Sequence, residues 1–129
     1  MFVLSEKSKA NMCCVDERLI RIAHRAIQIT KIDFGIPNTG GIRSDKAQNK
    51  LFKEGRSKAD GYEKRSKHQE GKALDFYAWV HGAASWEKEY LAQVAAAFLQ
   101  AANEFQIKIQ WGGLWKSFED MPHIELIED

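Results

Sequence analysis

The segment SWEKEYLAQVAAAFLQAANEF, residues 85–105, constrains the fold more than any other stretch of the chain. Leu91, Val94, Ala95, Phe98, Leu99 and Ala102 recur at three- and four-residue steps, so they line one face of a helix that needs an apolar partner. Glu87 and Glu89 in its first turn suit the positive end of the helix dipole. A second stripe can supply the partner. From about Asp16, residues Leu19, Ile22, Ala23, Ala26 and Ile27 follow the same period, with Arg18, Arg21 and Arg25 on the opposite face. His24 lies beside this stripe and reads as structural. With 129 residues, 44% of them hydrophobic, the chain has the size for one such core.

The remaining elements are shorter. SDKAQNKLFKEG, 44–55, begins with a capping serine and ends with glycine, as a short helix does. KIDFGI, 31–36, reads as an extended segment stopped by Pro37 and the turn PNTGG. Residues 56–72 carry almost no apolar side chains and read as an ordered loop. ALDFYAWV, 73–80, reads as one buried strand, IKIQW, 107–111, alternates as a strand does, and HIELI supplies a last strand. Residues 1–12 are polar and are expected to be loosely held. The reading is a single α+β domain over residues 1–129, with a small antiparallel sheet, built mostly by the second half, packed with helices.

Charge and cysteine content narrow the partners. The net charge is +1, so no overall field argues for nucleic acid. From Arg43 to Lys72, however, ten Lys/Arg face five Asp/Glu, while the chain from Glu119 onward is acidic. The basic segment reads either as a solvated loop or as a guide for an anionic polymer such as DNA or bacterial cell wall. Only Phe52, Tyr62 and Phe76 fall in or beside it, too few for a base-stacking platform, so nucleic-acid binding is not expected. Cys13 and Cys14 are adjacent, which disfavours a sound disulfide, and two thiols cannot complete a four-ligand zinc site. Free thiols suit a reducing cytoplasm. MFVLSEKSK is too poor in apolar residues for a signal peptide, and no run approaches a membrane span, so no stable membrane insertion is expected.

The candidate chemistry begins at SKHQEGKALDF, 66–76. His68 and Asp75 are seven apart, and Gly71 between them permits the chain to fold back. Asp75 interrupts a segment that otherwise reads as buried, where a bare carboxylate is costly unless it is paired or metal-bound. Near the C-terminus, EDMPHIEL places His123 at the head of an apolar strand with Asp120 three residues before it. Three histidine or carboxylate ligands plus a water form a catalytic metal site, and a carboxylate near the metal serves as general base. From the residues alone this trio is a weak pattern, and Glu119 stands beside Asp120 as an alternative base.

A resemblance sharpens it. S-x-H-x-x-G-x-A-x-D at Ser66, His68, Gly71, Ala73 and Asp75, followed by D-x-x-H at Asp120 and His123, resembles the signature of the zinc D-Ala-D-Ala/L-alanyl-D-glutamate peptidase family. This group includes VanY-type carboxypeptidases and phage endolysins, and its fold is akin to the hedgehog amino-terminal domain. GIRSDKAQNKLFKEG and WGGLW are similar to two further blocks of the family, so the likeness runs over roughly residues 30–127 in order. It implies one Zn²⁺ per chain, bound by His68, Asp75 and His123, with Asp120 as general base and Arg43 stabilising the negative charge of the tetrahedral intermediate. It further implies Gln48 and Ser66 in the same cleft as substrate contacts, with Trp111 and Trp115 as a wall.

The implied activity is hydrolysis of the L-alanyl-D-glutamate bond of bacterial peptidoglycan by a phage lysis enzyme. Such an enzyme would be a monomer that accumulates in the host cytoplasm and reaches the periplasm and wall once a holin opens the inner membrane. Two alternatives stand beside it, a D,D-carboxypeptidase or dipeptidase that trims terminal D-Ala and a non-catalytic zinc protein; the presence of Asp120 argues against the latter. Some phage members carry a long acidic calcium-binding insertion before the catalytic aspartate. Here only GGLWKSFE separates Trp111 from Asp120, so no calcium site is expected.

Overall fold

The two apolar stripes pack against each other as the longest helices of the molecule. In the computed structural model, which describes residues 1–128, they form α2 (Glu17–Ile29) and α4 (Lys88–Glu104). All five stripe residues of α2 are buried; in α4 Leu99 is only half-buried, and Ala97 and Ala101 join the buried face. Two shorter helices, α1 (Glu6–Asn11) and α3 (Asp45–Lys53), complete the set. Asp16 and Ser44 cap α2 and α3 by accepting from backbone N–H groups of the first turn. No helix among the described residues is long and apolar enough to cross a membrane.

The strands are β1 (Asp33–Gly35), β2 (Ala73–Asp75), β3 (Tyr77–Val80), β4 (Ala83–Ser85), β5 (Ile109–Trp111) and β6 (His123–Leu126). They form two three-stranded antiparallel sheets, ordered β1-β3-β4 and β2-β6-β5. The fold is therefore α+β, with two small sheets where the sequence suggested one. The difference arises at Phe76. The segment 73–80, expected as one strand, breaks there: the Phe76 N–H donates to the carbonyl of Pro122, and its ring is fully buried 5.1 Å from that of Phe98. No glycine or proline marks the break, because long-range packing causes it. Helix α4 starts later than expected because Ser85 pairs with Ala78 as part of β4.

The first twelve residues depart from expectation as well. Ser5 caps α1, and the Ser8 hydroxyl accepts from the Ile36 N–H at 3.0 Å. The Asn11 amide donates to the Ile36 carbonyl at 2.8 Å, and Leu4 and Met12 enter the core. The segment is polar because α1 is a surface helix, but it is anchored at both ends by apolar side chains. Met12 is 1% exposed, so Met12→Ala should lower the free energy of unfolding by about 2–5 kcal/mol in urea denaturation. A loosely held segment would give almost no change.

Candidate active site

The β2–β6 pairing creates the centre of the site. Its register sets Asp75 directly opposite His123, so side chains distant in sequence become cross-strand neighbours. His68 arrives on a 3-10 turn, Lys67–Glu70, that precedes β2. Ser66 caps this turn by accepting from the His68 N–H at 3.2 Å, and its own N–H donates to Gln69. Gly71 ends the turn at φ 72°, a left-handed conformation that suits glycine, and the chain turns back into β2.

His68 Nε2, Asp75 Oδ1 and His123 Nδ1 converge, with pairwise separations of 3.1, 3.1 and 3.2 Å. The other nitrogen of each imidazole determines what these atoms are. His68 Nδ1 lies 2.9 Å from the Gly41 carbonyl, which can only accept, so Nδ1 carries the proton and Nε2 presents a lone pair. His123 Nε2 donates to Glu125 Oε1 at 2.8 Å, so its Nδ1 likewise faces inward unprotonated in the neutral ring. Three acceptors thus meet with no donor among them. Four-coordinate divalent ions bound by imidazole and carboxylate at about 2.0–2.1 Å have ligand–ligand edges of about 3.3 Å. The observed triangle fits that geometry, and these residues can hold a metal ion.

Without a cation, a proton takes its place. Burial opposes a charge on His123, but hydrogen bonds to Asp75 and Glu125 outweigh it and raise its pKa from 6.5 to about 9. Burial also pushes the Asp75 carboxyl up, yet the two imidazoles hold it well below the usual range.

Around this triangle lies a cleft of about 660 Å³. Asp120 lines it, with Oδ2 3.7 Å from His123 Nδ1. Burial and the nearby Asp75 charge raise its pKa above the ordinary carboxylate value. Its position depends on Gly112: the Asp120 N–H donates to the Gly112 carbonyl at 3.0 Å, and a Cβ on Gly112 would collide with the Asp120 carbonyl oxygen. Glu119, the alternative base, instead pairs with Lys88 at 2.8 Å and does not line the cleft. Arg43 lies in the cleft with Nη2 3.6 Å from Asp75 Oδ2. Burial lowers its pKa, but a guanidinium remains charged at any working pH.

The other expected residues divide. Ser66 and Trp115 line the cleft, and the Trp115 ring lies 5.2 Å from that of His123. Gln48, expected as a substrate contact, is instead fully buried behind Arg43. It accepts from Arg43 Nη1 at 2.8 Å and donates to Ser57 and to the Ala59 carbonyl, so it holds the arginine in place. Trp111 is not part of the cleft lining; its indole N–H donates to the Met121 carbonyl and pins the loop that carries Asp120.

Sequence reasoning missed Glu125 and Gln110. Glu125 fixes the His123 ring, and Gln110, its cross-strand partner, donates to Glu125 Oε2 at 3.0 Å. Such outer carboxylates set a ligand histidine's tautomer. The signal was present in HIE, because residues two apart on a strand share a face.

The chain is similar to several known proteins. A family model described as phage L-alanyl-D-glutamate peptidase matches residues 1–127. The L-alanyl-D-glutamate peptidase of Escherichia phage T5 is 31% identical over 120 residues, which are 92% of this chain and 85% of that one. The peptidoglycan L-alanyl-D-glutamate endopeptidase CwlK of Bacillus subtilis (strain 168) is 36% identical over 100 residues, 69% of this chain and 59% of the relative. The crystal structure of Serratia marcescens L-Ala D-Glu endopeptidase ChiX superposes with a TM-score of 0.86 at 33% identity, covering 97% of this chain and 90% of that one.

Because a metal ion bound at this triangle must displace a proton from His123, its affinity should rise with pH and level off near 9 rather than near 6.5. Chelator competition across that range measures it. Glu125→Gln should weaken binding by about 10–100-fold and move the plateau to lower pH. An unchanged profile in the variant would deny Glu125 its positioning role.

Proposed function

This chain belongs to the phage L-alanyl-D-glutamate peptidase family and is a peptidase, and we propose that it hydrolyses the L-alanyl–D-glutamate bond of peptidoglycan with one zinc ion held by His68, Asp75 and His123. The observation that carries this reading is the convergence of three acceptor atoms beside Asp120 and Arg43 in one cleft. Two imidazoles and one carboxylate suit zinc, whereas calcium and magnesium favour all-oxygen shells. When bound, zinc would lower the pKa of a water molecule and polarise the scissile carbonyl.

The chain's own residues supply the rest. Asp120, close to the ligands but not one of them, takes the proton of the attacking water and passes it to the departing amine of D-glutamate. Arg43, braced by Gln48, directs fixed positive charge at the oxygen that becomes negative as the carbonyl turns tetrahedral. Trp115 forms a wall over His123 and limits water around the reacting centre.

The basic segment finds its use here as well. Arg56, Lys58, Lys64, Arg65 and Lys67 line the cleft, where they complement the carboxylates of the stem peptide. In this role the enzyme is a monomer. It collects in the host cytoplasm, where the exposed thiols of Cys13 and Cys14 stay reduced, and it meets the wall after a holin opens the inner membrane.

Mass spectrometry of digested muropeptides tests the reaction. L-Ala should remain on the sugar while the rest of the stem is released; free D-Ala with an intact stem would instead establish the carboxypeptidase alternative. Asp120→Ala should retain its metal and lose turnover by roughly a hundredfold to ten-thousandfold. Full activity in that variant would move the base elsewhere.

A further inference from the structure

The β1-β3-β4 sheet uses its two faces unequally. Phe34 and Ala78 face the core, and the Phe34 ring lies 5.0 Å from that of Phe98 on α4. The outer face carries Tyr77 and Trp79, two apart on β3. Their cross-strand neighbours leave room for the rings: Gly35 lies opposite Tyr77, and Trp79 stands between Ala84 on β4 and Asp33 on β1. A Cβ on Gly35 would collide with the Tyr77 phenol, so glycine lets that ring lie across β1. Beyond β4, Trp86 extends the row. Ring centroids run from Trp86 to Tyr77 at 6.0 Å and from Tyr77 to Trp79 at 6.5 Å.

Trp79 is 45% exposed and Trp86 53%. A solvent-facing sheet surface is ordinarily polar, and an aromatic row with both ends exposed and its middle, Tyr77, half-buried marks a binding surface. One end of the row is the catalytic cleft itself, which Trp86 lines. The other end is a concavity of about 200 Å³, where Ser5 and Asp33 supply polar groups beside Tyr77 and Trp79.

Substrate chemistry identifies the occupant. In peptidoglycan the L-alanine amine is acylated by the lactyl group of an N-acetylated sugar, so the glycan strand begins one residue from the scissile carbonyl. Whatever binds that bond must also receive a sugar at the cleft's edge. The cationic rim at 56–67 matches the carboxylates of the stem, while the uncharged aromatic row matches sugar rings, whose C–H faces stack on aromatic rings and whose hydroxyls bond to groups such as Asp33.

We propose that Trp86, Tyr77 and Trp79 form a glycan-binding shelf that seats the sugar strand next to the scissile bond. The proposal rests on the peptidase reading above. Its test compares kcat/KM for a disaccharide-linked stem peptide with that for the same peptide lacking sugar, in the native protein, Trp79→Ala and Trp86→Ala.

The native protein should prefer the sugar-linked substrate, and each variant should reduce that preference by about tenfold, mainly through KM, as expected for the loss of one aromatic contact. A preference unchanged by both variants, while the native protein still cuts the free peptide, overturns the shelf and leaves the peptidase reading intact. Concentration-dependent dimerisation abolished by Trp79→Ala, together with an unchanged preference, would assign the face to a second copy of the chain and overturn the shelf. If the native protein cuts neither substrate, the peptidase reading fails and the shelf falls with it.

Discussion

Three lone pairs aimed at one point, with no hydrogen-bond donor between them when both imidazoles are neutral, are the arrangement on which the site depends. His68 Nε2, Asp75 Oδ1 and His123 Nδ1 lie within 3.2 Å of one another. Left empty, such a cluster forces electron-rich atoms together; a cation at its centre turns the same closeness into attraction. A proton on His123 is the weaker substitute: burial opposes it, but hydrogen bonds to Asp75 and Glu125 outweigh burial and raise the pKa of that group. The fold holds the cluster from outside. The Gly41 carbonyl and the Glu125 carboxylate fix the two imidazole tautomers, and the β2–β6 register fixes Asp75 against His123.

Around this centre the chain separates positioning from reaction. Gln48 and Gln110 stay out of the cleft lining and hold Arg43 and Glu125, Glu125 holds His123 from the cleft's edge, and Asp120 and Trp115 line the cleft. Gly112 lets the Asp120 backbone pass close to the turn after β5, and the Trp111 indole ties down Met121 in the same loop. Gly112 and the first tryptophan of WGGLW thus act on the site through the backbone of a neighbouring loop. Ser66 has a double position, since it caps the turn that presents His68 and also lines the cleft.

Much of this was legible in the sequence where the signal is local. The stripes of α2 and α4 repeat within a few residues. His68, Asp75, Asp120 and His123 were a weak pattern in the residues alone, and only the resemblance to a peptidase family joined them; the fold brings His68, Asp75 and His123 together. What escaped is set by contacts between distant segments. No residue near Phe76 announces that the chain changes sheets there; the Pro122 carbonyl and the Phe98 ring decide it. The burial of Gln48 depends on a loop that wraps over α3 and meets it through Ser57 and Ala59. The first twelve residues looked loose because helix α1 is mostly solvated, although Leu4 and Met12 anchor it. Glu125 was readable from strand alternation, but only once β6 was known to run through the site.

We propose that the nitrogen- and oxygen-lined triangle, which can hold a metal ion, is the zinc site of this chain, rather than the adjacent thiols of Cys13 and Cys14. Zinc K-edge X-ray absorption of the protein loaded with one equivalent of Zn²⁺ tests it most directly. The account predicts a first shell of nitrogen and oxygen at about 2.0–2.1 Å, with two imidazoles in its outer scattering, reduced to one in His123→Ala. A sulfur shell at about 2.3 Å, or a shell indifferent to the loss of His123, would contradict it.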